Sequence, residues 1–430
     1  MIVARAWGRK RYAVLGLARS GLATVRALAA AGAHVVAWDS DEAARDAAAA
    51  IDGVIVHDPM LLDLTGAAGL VVSPGVPLNT HPLVARAREA NVPVIGDIEL
   101  FAEARAELPP HRVVGITGTN GKSTTTALVR HLCETAGRPN LMGGNIGLPI
   151  LGQAPLPDGG VYVLELSSYQ IDLTQSLDCD VAVLLNITPD HLDRYDGFEG
   201  YAASKARLFA MQSAGHDAVI GIGDAPSAAI ARSLSAKGEH LTKIAPGVCM
   251  DQSRWPSLQG PHNAQNALAA IAVARSLGIG EAEIDRGLES FTGLPHRMER
   301  VAERSGVAFI DDSKATNPES AAPALGAFPR IHWIVGGRAK GDDLEACAPW
   351  FGHVIRAYTI GEAGPRFAQV LDGKVPVEEA GTLDVAVARA AAHAQAGDVV
   401  LLSPACASFD QFRDYEDRGR AFRRAVEALA

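Results

Sequence analysis

Cysteine is scarce in this chain, a basic excess is absent, and no hydrophobic run is long. The five cysteines are widely spaced and include no CxxC pair, which favours a reduced compartment over a disulfide framework. No apolar stretch approaches the roughly 18 residues that a membrane-spanning helix needs. The basic N-terminal segment carries an apolar run too short for a signal peptide. We therefore expect a cytoplasmic protein without a membrane partner.

The charge balance argues against one class of partner, nucleic acid. Over 430 residues, 39 basic and 49 acidic side chains leave a formal net charge of −10. Non-specific binding to nucleic acid needs a basic surface that displaces counterions from the phosphates. Lysines and arginines gathered at one place can still bind an anionic substrate, so we expect small-molecule substrates and no nucleic acid.

The order of apolar runs predicts the fold class. Short apolar runs alternate with alanine-rich helical patterns, which is typical of βαβ units and mostly parallel sheets, and hence of an α/β fold. A polar, proline-containing segment at 102–112 and a turn at 291–297 predict two boundaries. Because 48% of the residues are apolar, each of three domains can bury a core. We expect domains at 1–100, 101–293 and 294–430.

Individual elements can be placed within these domains, and no internal repeat is visible. The predicted helices cover residues 21–32, 262–278, 281–290 and 412–429. The predicted strands cover residues 12–16, 34–38, 70–75, 113–118, 161–166, 181–187, 218–223, 307–311, 331–337, 356–361 and 398–404. Parallel sheets place ligands at the carboxyl ends of their strands, so the loops after these strands are the first candidates for a site.

A glycine-rich turn, GITGTNGKSTTT at 115–126, is the strongest local signal. Backbone N–H groups in such a turn, followed by a helix N-terminus, form a positive concavity for phosphate oxygens. Lys122 supplies a cation for the β- and γ-phosphates, and the hydroxyl of Ser123 can bind Mg²⁺. The strict pattern G-x4-GK-[ST] is not met, because Ile116 stands at its first glycine. The alternative is a capped strand–helix turn without a ligand.

Two further loops carry potential metal ligands. Glu165 ends a strongly apolar run, and a carboxylate at the end of a buried parallel strand can hold Mg²⁺. His191 follows another apolar run and stands among Asp190, Asp193 and Asp196. On local pattern alone, Glu165 could instead cap a helix and His191 could be an ordinary loop residue.

The first block contains a second nucleotide-like turn, GLARSG at 16–21, between a predicted strand and a predicted helix. Asp39 ends the next strand, 23 residues after Gly16, a spacing that suits a contact to a ribose. The fingerprint GxGxxG is incomplete, because Ala18 replaces its second glycine. By itself this turn is weak evidence for a nicotinamide cofactor.

Several motifs occur together in the order in which one family carries them. They are GTNGKST at 118–124, NITPDHLDRY at 186–195, DDSKATNP at 311–318 and LSPACASFDQFRDYEDRG at 402–419. With them, essentially the whole chain resembles the Mur ligase family of ATP-dependent, amide-forming ligases. The resemblance implies a Rossmann-like N-terminal domain for a UDP-linked substrate, a central P-loop ATPase-like domain, and a Rossmann-like C-terminal domain for the amino acid.

The last two motifs resemble the members that add D-glutamate to UDP-N-acetylmuramoyl-L-alanine in peptidoglycan precursor synthesis. The implied reaction uses ATP to convert the L-alanine carboxylate into an acyl phosphate, which the amine of D-glutamate attacks, releasing ADP and phosphate. The resemblance further implies two Mg²⁺ sites, a carbamylated lysine at Lys205 and a monomer. From the pattern alone, Lys205 would be an ordinary solvated helix lysine.

The resemblance also implies roles for individual residues. Those expected in catalysis are Lys122, His296, Lys205 and Asn145. Those expected at ATP are Gly118, Thr119, Asn120, Gly121, Lys122, Ser123, Thr124, Asn263, Asn266, Arg297 and Asp312. The metal ligands would be Ser123, Glu165, His191 and Lys205. The UDP-sugar would meet Arg19, Ser20, Asp39, Ser40, Gly75 and Asn145. D-Glutamate would meet Lys314, Thr316, Lys340, Ser408 and Tyr415.

Two departures and three alternatives accompany this interpretation. Asp41 stands where relatives can carry an arginine near the uracil or phosphates, and Tyr415 where they often have phenylalanine. One alternative is a folate-dependent ligase of the same family, of the folylpolyglutamate synthase type. The second alternative is a Rossmann oxidoreductase with an accessory nucleotide site. The third is a non-catalytic ATP-binding regulator, but that function would give Glu165, His191 and Lys205 no shared role.

Overall fold

The computed structural model describes residues 1–238, 240–245, 251–255, 257–339, 341 and 343–429, with Asp193 and Lys237 described by their backbone alone. The chain divides into two compact units, Met1–Pro246 with Leu268–Gly287, and Gly247–Ala267 with Leu288–Ala430. Within the described residues the strands form three sheets, so the predicted α/β class is confirmed. Every described helix is too short or too polar to cross a bilayer.

The first sheet lies in the first unit and has the strand order β3-β2-β1-β4-β5, with all pairs parallel. Its strands are β1 (Arg11–Leu15), β2 (His34–Trp38), β3 (Val54–Val56), β4 (Gly69–Val72) and β5 (Val94–Ile95). Its helices are α1 (Arg19–Ala30), α2 (Glu42–Ala49), α3 (Pro82–Glu89) and α4 (Asp97–Ala104). This order is that of a Rossmann-like half, which brings the loops after β1, β2 and β4 to one edge.

The second sheet also lies in the first unit, is parallel throughout, and has the order β11-β10-β9-β6-β8-β7. Its strands are β6 (His111–Thr117), β7 (Asn140–Gly144), β8 (Gly160–Glu165), β9 (Val181–Leu184), β10 (Asp217–Gly221) and β11 (His240–Ile244). The helices that follow along the chain are α5 (Lys122–Thr135), α6 (Ser168–Asp172), α7 (Gly197–Ala210), α8 (Ala225–Lys237), α9 (Pro261–Ser276) and α10 (Glu281–Ser290). Because β6 pairs with both β8 and β9, the loops after these three strands are neighbours.

The third sheet lies in the second unit and has the order β12-β13-β17-β14-β15-β16. Its strands are β12 (Glu299–Arg304), β13 (Val307–Asp311), β14 (Ile331–Gly336), β15 (Val354–Ile360), β16 (Val377–Gly381) and β17 (Val399–Leu402). Its helices are α11 (Pro318–Leu325), α12 (Gly364–Leu371), α13 (Leu383–His393) and α14 (Tyr415–Glu427). β12 is antiparallel to β13 and the other pairs are parallel. The buried strands β14 and β17 form the middle of this sheet.

The predicted elements agree closely with the observed ones. The strands at 34–38 and 307–311 and the helix at 281–290 match residue for residue. The strand predicted at 181–187 ends at Leu184, and the apolar residues Leu185 and Ile187 that follow it are buried in a loop. Short 3-10 helices occur at Arg5–Trp7, Pro59–Leu61, Arg105–Glu107, Ile150–Gly152, Leu192–Arg194 and Glu345–His353.

Candidate functional site

The phosphate-loop candidate has the conformation that its glycines predict. Gly118 and Gly121 have φ values of 153° and 84°, which residues with side chains rarely adopt. Gly121 is the N-cap of α5, and the helix begins directly at Lys122. Ser123 is buried in the first helical turn. The N–H groups at the start of α5 and the positive end of the helix dipole make an anion site.

The loop is held in place by the segment that follows β9. The side chain of Asn186 accepts from the N–H of Asn120 at 2.9 Å and donates to its carbonyl at 3.2 Å. The hydroxyl of Thr119 lies 3.1 Å from the hydroxyl of Tyr201 and donates to the carbonyl of Thr188. Sequence reasoning assigned no role to Asn186 or Tyr201. The signal for Asn186 was its place as the first residue of the motif at 186–195.

Two of the predicted catalytic lysines meet at this loop. The Lys122 ammonium donates to the carbonyls of Gly118 at 2.9 Å and Thr119 at 2.7 Å. The Lys205 ammonium, on α7, donates to the same Gly118 carbonyl at 3.0 Å and lies 4.7 Å from the centre of the Tyr201 ring. Only 1% of Lys205 is exposed. Burial, and then the charge of Lys122, lower the pKa of Lys205 well below its ordinary value.

Glu165 lies at the end of β8 and is 2% exposed. Its Oε1 accepts from the amide of Asn145 at 2.7 Å, and the backbone N–H of Asn145 donates to the Glu165 carbonyl at 2.8 Å. Among the described residues, the buried Oε2 has no hydrogen-bond partner. A buried acceptor without a partner costs about 1–3 kcal/mol. The carboxylate therefore fits a hard cation, which prefers oxygen ligands.

His191 lies in the loop after β9, in a left-handed conformation with a φ of 54°. Its Nε2 is 3.5 Å from a carboxylate oxygen of Asp190, and its ring lies 5.0 Å from that of Tyr169. The charge of Asp190 also acts on Lys205 and opposes the fall in its pKa. Asp190 therefore lies near two of the predicted metal ligands, although sequence reasoning gave it no ligand role of its own.

Of the residues predicted at the UDP-sugar, Arg19 and Ser20 begin α1, Asp39 and Ser40 follow β2, Gly75 follows β4, and Asn145 follows β7. Asp39 accepts from the N–H groups of Leu17 at 2.6 Å and Asp41 at 2.9 Å, so it ties two loops together. Burial opposes the effect, but these hydrogen bonds lower the pKa of Asp39. Arg19 donates to the carbonyl of Gly147 at 2.9 Å. The carbonyl of Gly75 accepts from Arg194 at 2.7 Å.

The departure at Asp41 has a structural explanation. Asp41 is the N-cap of α2 and accepts from the N–H of Ala43 at 3.1 Å. The cation at this loop is instead Arg45, one turn later, which donates to the carbonyls of Asp39 and Ser40. The Arg45 guanidinium also lies 4.8 Å from the centre of the Trp38 ring. Sequence reasoning missed Arg45.

A small cavity lies beneath these loops. Its volume, about 10 Å³, is close to that of a single water probe. Ser20, Thr24, Ser73 and Asp97 supply its polar lining. Asp97 is 5% exposed, and its Oδ1 has no hydrogen-bond partner among the described residues. Burial raises the pKa of Asp97 to about 6.

In the second unit, His296 is paired with an acid that sequence reasoning did not select. Nδ1 of His296 lies 2.7 Å from Oδ2 of Asp311, the last residue of β13. This pairing raises the pKa of His296. The next residue, Asp312, is buried and accepts from the hydroxyl of Ser403 at 2.8 Å. Burial raises the pKa of Asp312 to about 7, and the charge of Arg297 opposes that rise.

Of the residues predicted at D-glutamate, Lys314 and Tyr415 meet at the start of α14. The Lys314 ammonium lies 3.9 Å from the centre of the Tyr415 ring, a cation–π contact. Thr316 is partly buried in the loop before α11, and Ser408 is fully buried. Lys340 lies outside the described residues.

Arg418 holds the loops around that group together, although sequence reasoning gave it no role. It is 1% exposed and donates to the carbonyls of Ser313 at 2.8 Å and Cys406 at 2.9 Å. Its Nε donates to the Ser313 hydroxyl at 2.9 Å, and that hydroxyl donates to the carbonyl of Tyr415. The loop after β13 and the loop after β17 are thus joined through one buried guanidinium.

The two asparagines predicted at ATP begin α9. Asn266 donates to the side-chain oxygen of Asn263 at 3.0 Å, and Asn263 donates to the carbonyl of Gln259 at 3.0 Å. Both are buried. Asn263 also lines a cavity of about 260 Å³ whose apolar wall includes Met298, Ile310 and Phe328. Hydrogen bonds therefore fix both asparagines, and Asn263 faces this cavity.

Comparison with known proteins covers the whole length of the chain. Residues 10–96 match the Mur ligase MurD-like N-terminal domain, residues 116–248 the Mur ligase middle domain, and residues 296–406 the Mur ligase glutamate ligase domain. The UDP-N-acetylmuramoylalanine--D-glutamate ligase of Novosphingobium aromaticivorans is 65% identical over 432 residues, covering 100% of this chain and 97% of the relative. That of Sphingopyxis alaskensis is 64% identical and covers 100% of both chains.

The fold is also shared with solved structures. The MurF ligase of Thermotoga maritima in complex with ADP is 17% identical, covers 100% of this chain and 98% of its own, and has a TM-score of 0.62. At that identity the likeness shows the fold alone. With the three matched domains and the full-length relatives, the conclusion is that this chain belongs to the Mur ligase family.

Proposed function

We propose that this protein is an ATP-dependent ligase that joins D-glutamate to UDP-N-acetylmuramoyl-L-alanine and releases ADP and phosphate, in peptidoglycan precursor synthesis. The observation that carries the proposal is the convergence of Lys122 and Lys205 on the Gly118 carbonyl of the phosphate loop. The names of the full-length relatives support the choice of substrates.

The proposed chemistry explains why a phosphate loop is needed for amide formation. A carboxylate is a poor electrophile, because it is negatively charged and its leaving group would be oxide. Transfer of the γ-phosphate to the L-alanine carboxylate gives an acyl phosphate with a good leaving group. The amine of D-glutamate adds to the acyl carbon, and the tetrahedral intermediate collapses with loss of phosphate. Carboxylate and phosphate repel each other, and we propose that Lys122 offsets this repulsion.

We propose that Ser123, Glu165, His191 and Lys205 supply the ligands for Mg²⁺. The buried Oε2 of Glu165 supports this assignment, since it lacks a hydrogen-bond partner among the described residues. When bound, the metal would neutralise phosphate charge and polarise the phosphoryl group. The amide of Asn145 holds the other oxygen of Glu165 and would keep the carboxylate oriented.

We propose that Lys205 enters this set as a carbamate. Its neutral amine would attack CO₂, forming a nitrogen–carbon bond, and the resulting acid would lose one proton to give a carboxylate-like group. The lowered pKa of Lys205 supports this step, because only the neutral amine is nucleophilic. The carbamate would give Lys205 a negative charge, which Lys122 attracts, in place of the positive charge of an ammonium group, which Lys122 repels.

We propose that D-glutamate binds in the second unit. Lys314 and Lys340 would supply positive charge, and Thr316, Ser408 and Tyr415 would supply polar contacts. The fixed geometry of Lys314 over Tyr415 supports the placement of a carboxylate there. ATP would also meet Asn263, Asn266, Arg297 and Asp312.

We propose that each of the three domains binds one substrate. Residues 1–100 would bind the UDP-substrate, residues 101–293 would bind ATP, and residues 294–430 would bind the amino acid. Arg19, Ser20, Asp39, Ser40 and Gly75 would hold the UDP-sugar. We further propose that the protein acts in the cytoplasm and is a monomer. Light scattering of the purified protein tests the oligomeric state.

The test of the function is phosphate release with Mg-ATP and UDP-N-acetylmuramoyl-L-alanine. D-Glutamate, L-glutamate, L-lysine and meso-diaminopimelate are added separately. Release only with D-glutamate supports both substrates. Release with another amine would keep the ligase chemistry and overturn the assignment of the amino-acid site. No release with any amine would contradict the proposal. Folate substrates would then be tested, followed by binding of a nicotinamide cofactor.

A further inference from the structure

We propose that Asp311 is a positioning residue that fixes the imidazole of His296 and keeps it protonated. His296 then acts in the ligation as a cation and hydrogen-bond donor, and not as a proton acceptor. The inference rests on the proposed function, because the reaction gives His296 its anionic partner. It assigns a role to an acid that the chemistry above does not use.

The contact between the two side chains is short and shielded from water. Nδ1 of His296 lies 2.7 Å from Oδ2 of Asp311, and the two residues are 9% and 1% exposed. The other carboxylate oxygen of Asp311 accepts from the N–H of Ser313 at 2.9 Å. Because both oxygens of Asp311 are engaged, the carboxylate has a fixed orientation toward the ring.

The backbone of His296 is fixed as well. Its φ of 62° places it in the left-handed region, which side-chain-bearing residues rarely adopt. The His296 N–H donates to Glu299 at 2.9 Å, and its carbonyl accepts from the N–H of Lys314 at 3.0 Å. The backbone of His296 is therefore held in one conformation, which fixes the position from which its imidazole ring extends.

Packing against α14 further restricts the positions of the His296 and Asp311 side chains. Gly419 faces the pair, and a Cβ at this position would lie 2.0 Å from Nδ1 of His296 and 2.6 Å from Oδ2 of Asp311. Only glycine leaves room for the two side chains to meet. With Nδ1 committed to Asp311, Nε2 is the nitrogen left to contact a ligand.

The charges that act most strongly on His296 are negative. Asp311 raises the pKa of the imidazole, burial lowers it, and the more distant charges of Glu299 and Glu416 raise it, for a net rise. The titratable or charged groups near His296 come from several elements. Asp311 ends β13, Asp312 and Lys314 follow it, Arg297 is the next residue along the chain, and Glu299 lies on β12. The groups on α14 are Tyr415, Glu416, Arg418 and Arg423. The contact with Asp311 and these charges therefore favour the imidazolium more than in an ordinary histidine.

This protonation state changes what His296 can do. A protonated imidazole carries a hydrogen on Nε2 and can donate it to an anionic oxygen of phosphate or of the tetrahedral intermediate. It has no lone pair with which to take a proton from the attacking amine. Another group, or water, must accept that proton.

The first experiment measures the imidazole directly and needs no substrate. Proton–carbon NMR of histidine-labelled protein follows His296 through a pH titration, with His296→Gln identifying its signal among the thirteen histidines. We expect a pKa above 6.5 in the unaltered protein. We expect Asp311→Asn, which keeps a hydrogen-bond acceptor but removes the charge, to lower it by about one unit or more. Glu299→Gln is the matched control, with a smaller change.

Two NMR outcomes would overturn the inference. One is a His296 pKa at or below its ordinary value in the unaltered protein, which needs no variant to fold. The other is an Asp311→Asn protein with an unchanged His296 pKa. Because no substrate is present, either result is separate from a failure of the proposed function.

The second experiment is the pH profile of phosphate release with D-glutamate. If the imidazolium is the active form, the rate falls as pH rises through the pKa of His296. Asp311→Asn should move this fall to lower pH, with the smallest loss of rate on the acidic side. An equal loss of rate at every pH would mean that Asp311 is only structural, and would overturn the inference.

Discussion

Lys122 and Lys205 donate hydrogen bonds to the same acceptor, the carbonyl oxygen of Gly118, at 2.9 and 3.0 Å. Two ammonium groups around one oxygen repel each other, and burial adds to the cost of charge on Lys205. This arrangement therefore favours the neutral amine of Lys205 beside the Lys122 cation, at the loop proposed to hold phosphates.

The first prediction is that Lys205 captures CO₂. Carbon-13 bicarbonate added to the purified protein should give a carbamate signal in the carbon NMR spectrum, because burial lowers the pKa of Lys205 and favours its neutral, nucleophilic amine. Lys205→Arg should remove the signal, since a guanidinium does not react. Lys243→Arg, at an exposed lysine of β11, should leave it unchanged. A signal that survives Lys205→Arg would place the carbamate elsewhere.

The second prediction concerns Lys122. Lys122→Ala should reduce phosphate release by a factor of at least about 100, because a charge aimed at the transferred phosphate contributes on the order of 3 kcal/mol. Binding of UDP-N-acetylmuramoyl-L-alanine, measured by calorimetry, should remain nearly intact, since its proposed contacts lie on other loops. Lys374→Ala, at an exposed lysine, is the control. Equal loss of both properties would contradict this layout.

The third prediction concerns Glu165. Glu165→Gln keeps the shape of the side chain and removes its charge, so the concentration of Mg²⁺ needed for half-maximal phosphate release should rise about tenfold or more. Glu134→Gln, at an exposed glutamate of α5, should not change it. Direct titration of Mn²⁺ by paramagnetic resonance provides a readout that does not depend on turnover. Unchanged metal dependence would remove Glu165 from the proposed ligands.

The fourth prediction concerns Arg418. Arg418→Lys cannot reproduce four hydrogen bonds to the loops after β13 and β17, and buried carbonyls left without donors cost about 1–3 kcal/mol each. We expect the KM for D-glutamate to rise about tenfold, with a smaller effect on the KM for ATP. Arg424→Lys, at an exposed arginine of the same helix, is the matched control. A rise confined to ATP would argue against the proposed amino-acid site.

The fifth prediction concerns the pH dependence of stability. Asp97 loses its proton near pH 3.8 in an unfolded chain and near pH 6 when folded. Between these values the native state binds more protons, so its stability falls as pH rises from about 4 to 6 and stays reduced above that range. Asp97→Asn cannot ionise, so it should be more stable than the original protein at pH 7.5, by at most about 3 kcal/mol.

Thermal unfolding midpoints measured from about pH 4.5 to 8 check this fifth expectation. The difference between Asp97→Asn and the original protein should grow through that range and then level off. Asp46→Asn, at an exposed aspartate of α2, should show no such trend. A constant difference at all pH values would mean that Asp97 is ionised, or neutral, throughout.

Sequence patterns predicted the sheets and the phosphate loop well, because both depend on residues that are close together along the chain. Strand β2 at 34–38 is a continuous apolar run, and the turn at Gly121 needs neighbouring small residues. The strand predicted at 181–187 was too long for a related reason. Leu185 and Ile187 are apolar because they are buried beneath a loop, and hydrophobicity alone does not distinguish that from a strand.

The residues that hold the candidate site in place were not predictable in this way. Asn186 contacts the phosphate loop across 66 residues, and Arg418 contacts Ser313 across 105 residues. No periodicity or spacing marks such contacts, because they arise only when separate loops meet. Asp311 was overlooked for the same reason, since its partner His296 belongs to a different loop.

Gly419 sets a limit on how this protein can evolve. A single methyl group there would occupy the space in which His296 and Asp311 meet, so the codon is expected to accept no substitution. Under selection by an inhibitor of the site around His296, substitutions could arise at residues that line the site, but not at Gly419. If every amino acid is introduced at position 419 and cells are selected for the activity of this protein, we expect only glycine to be recovered.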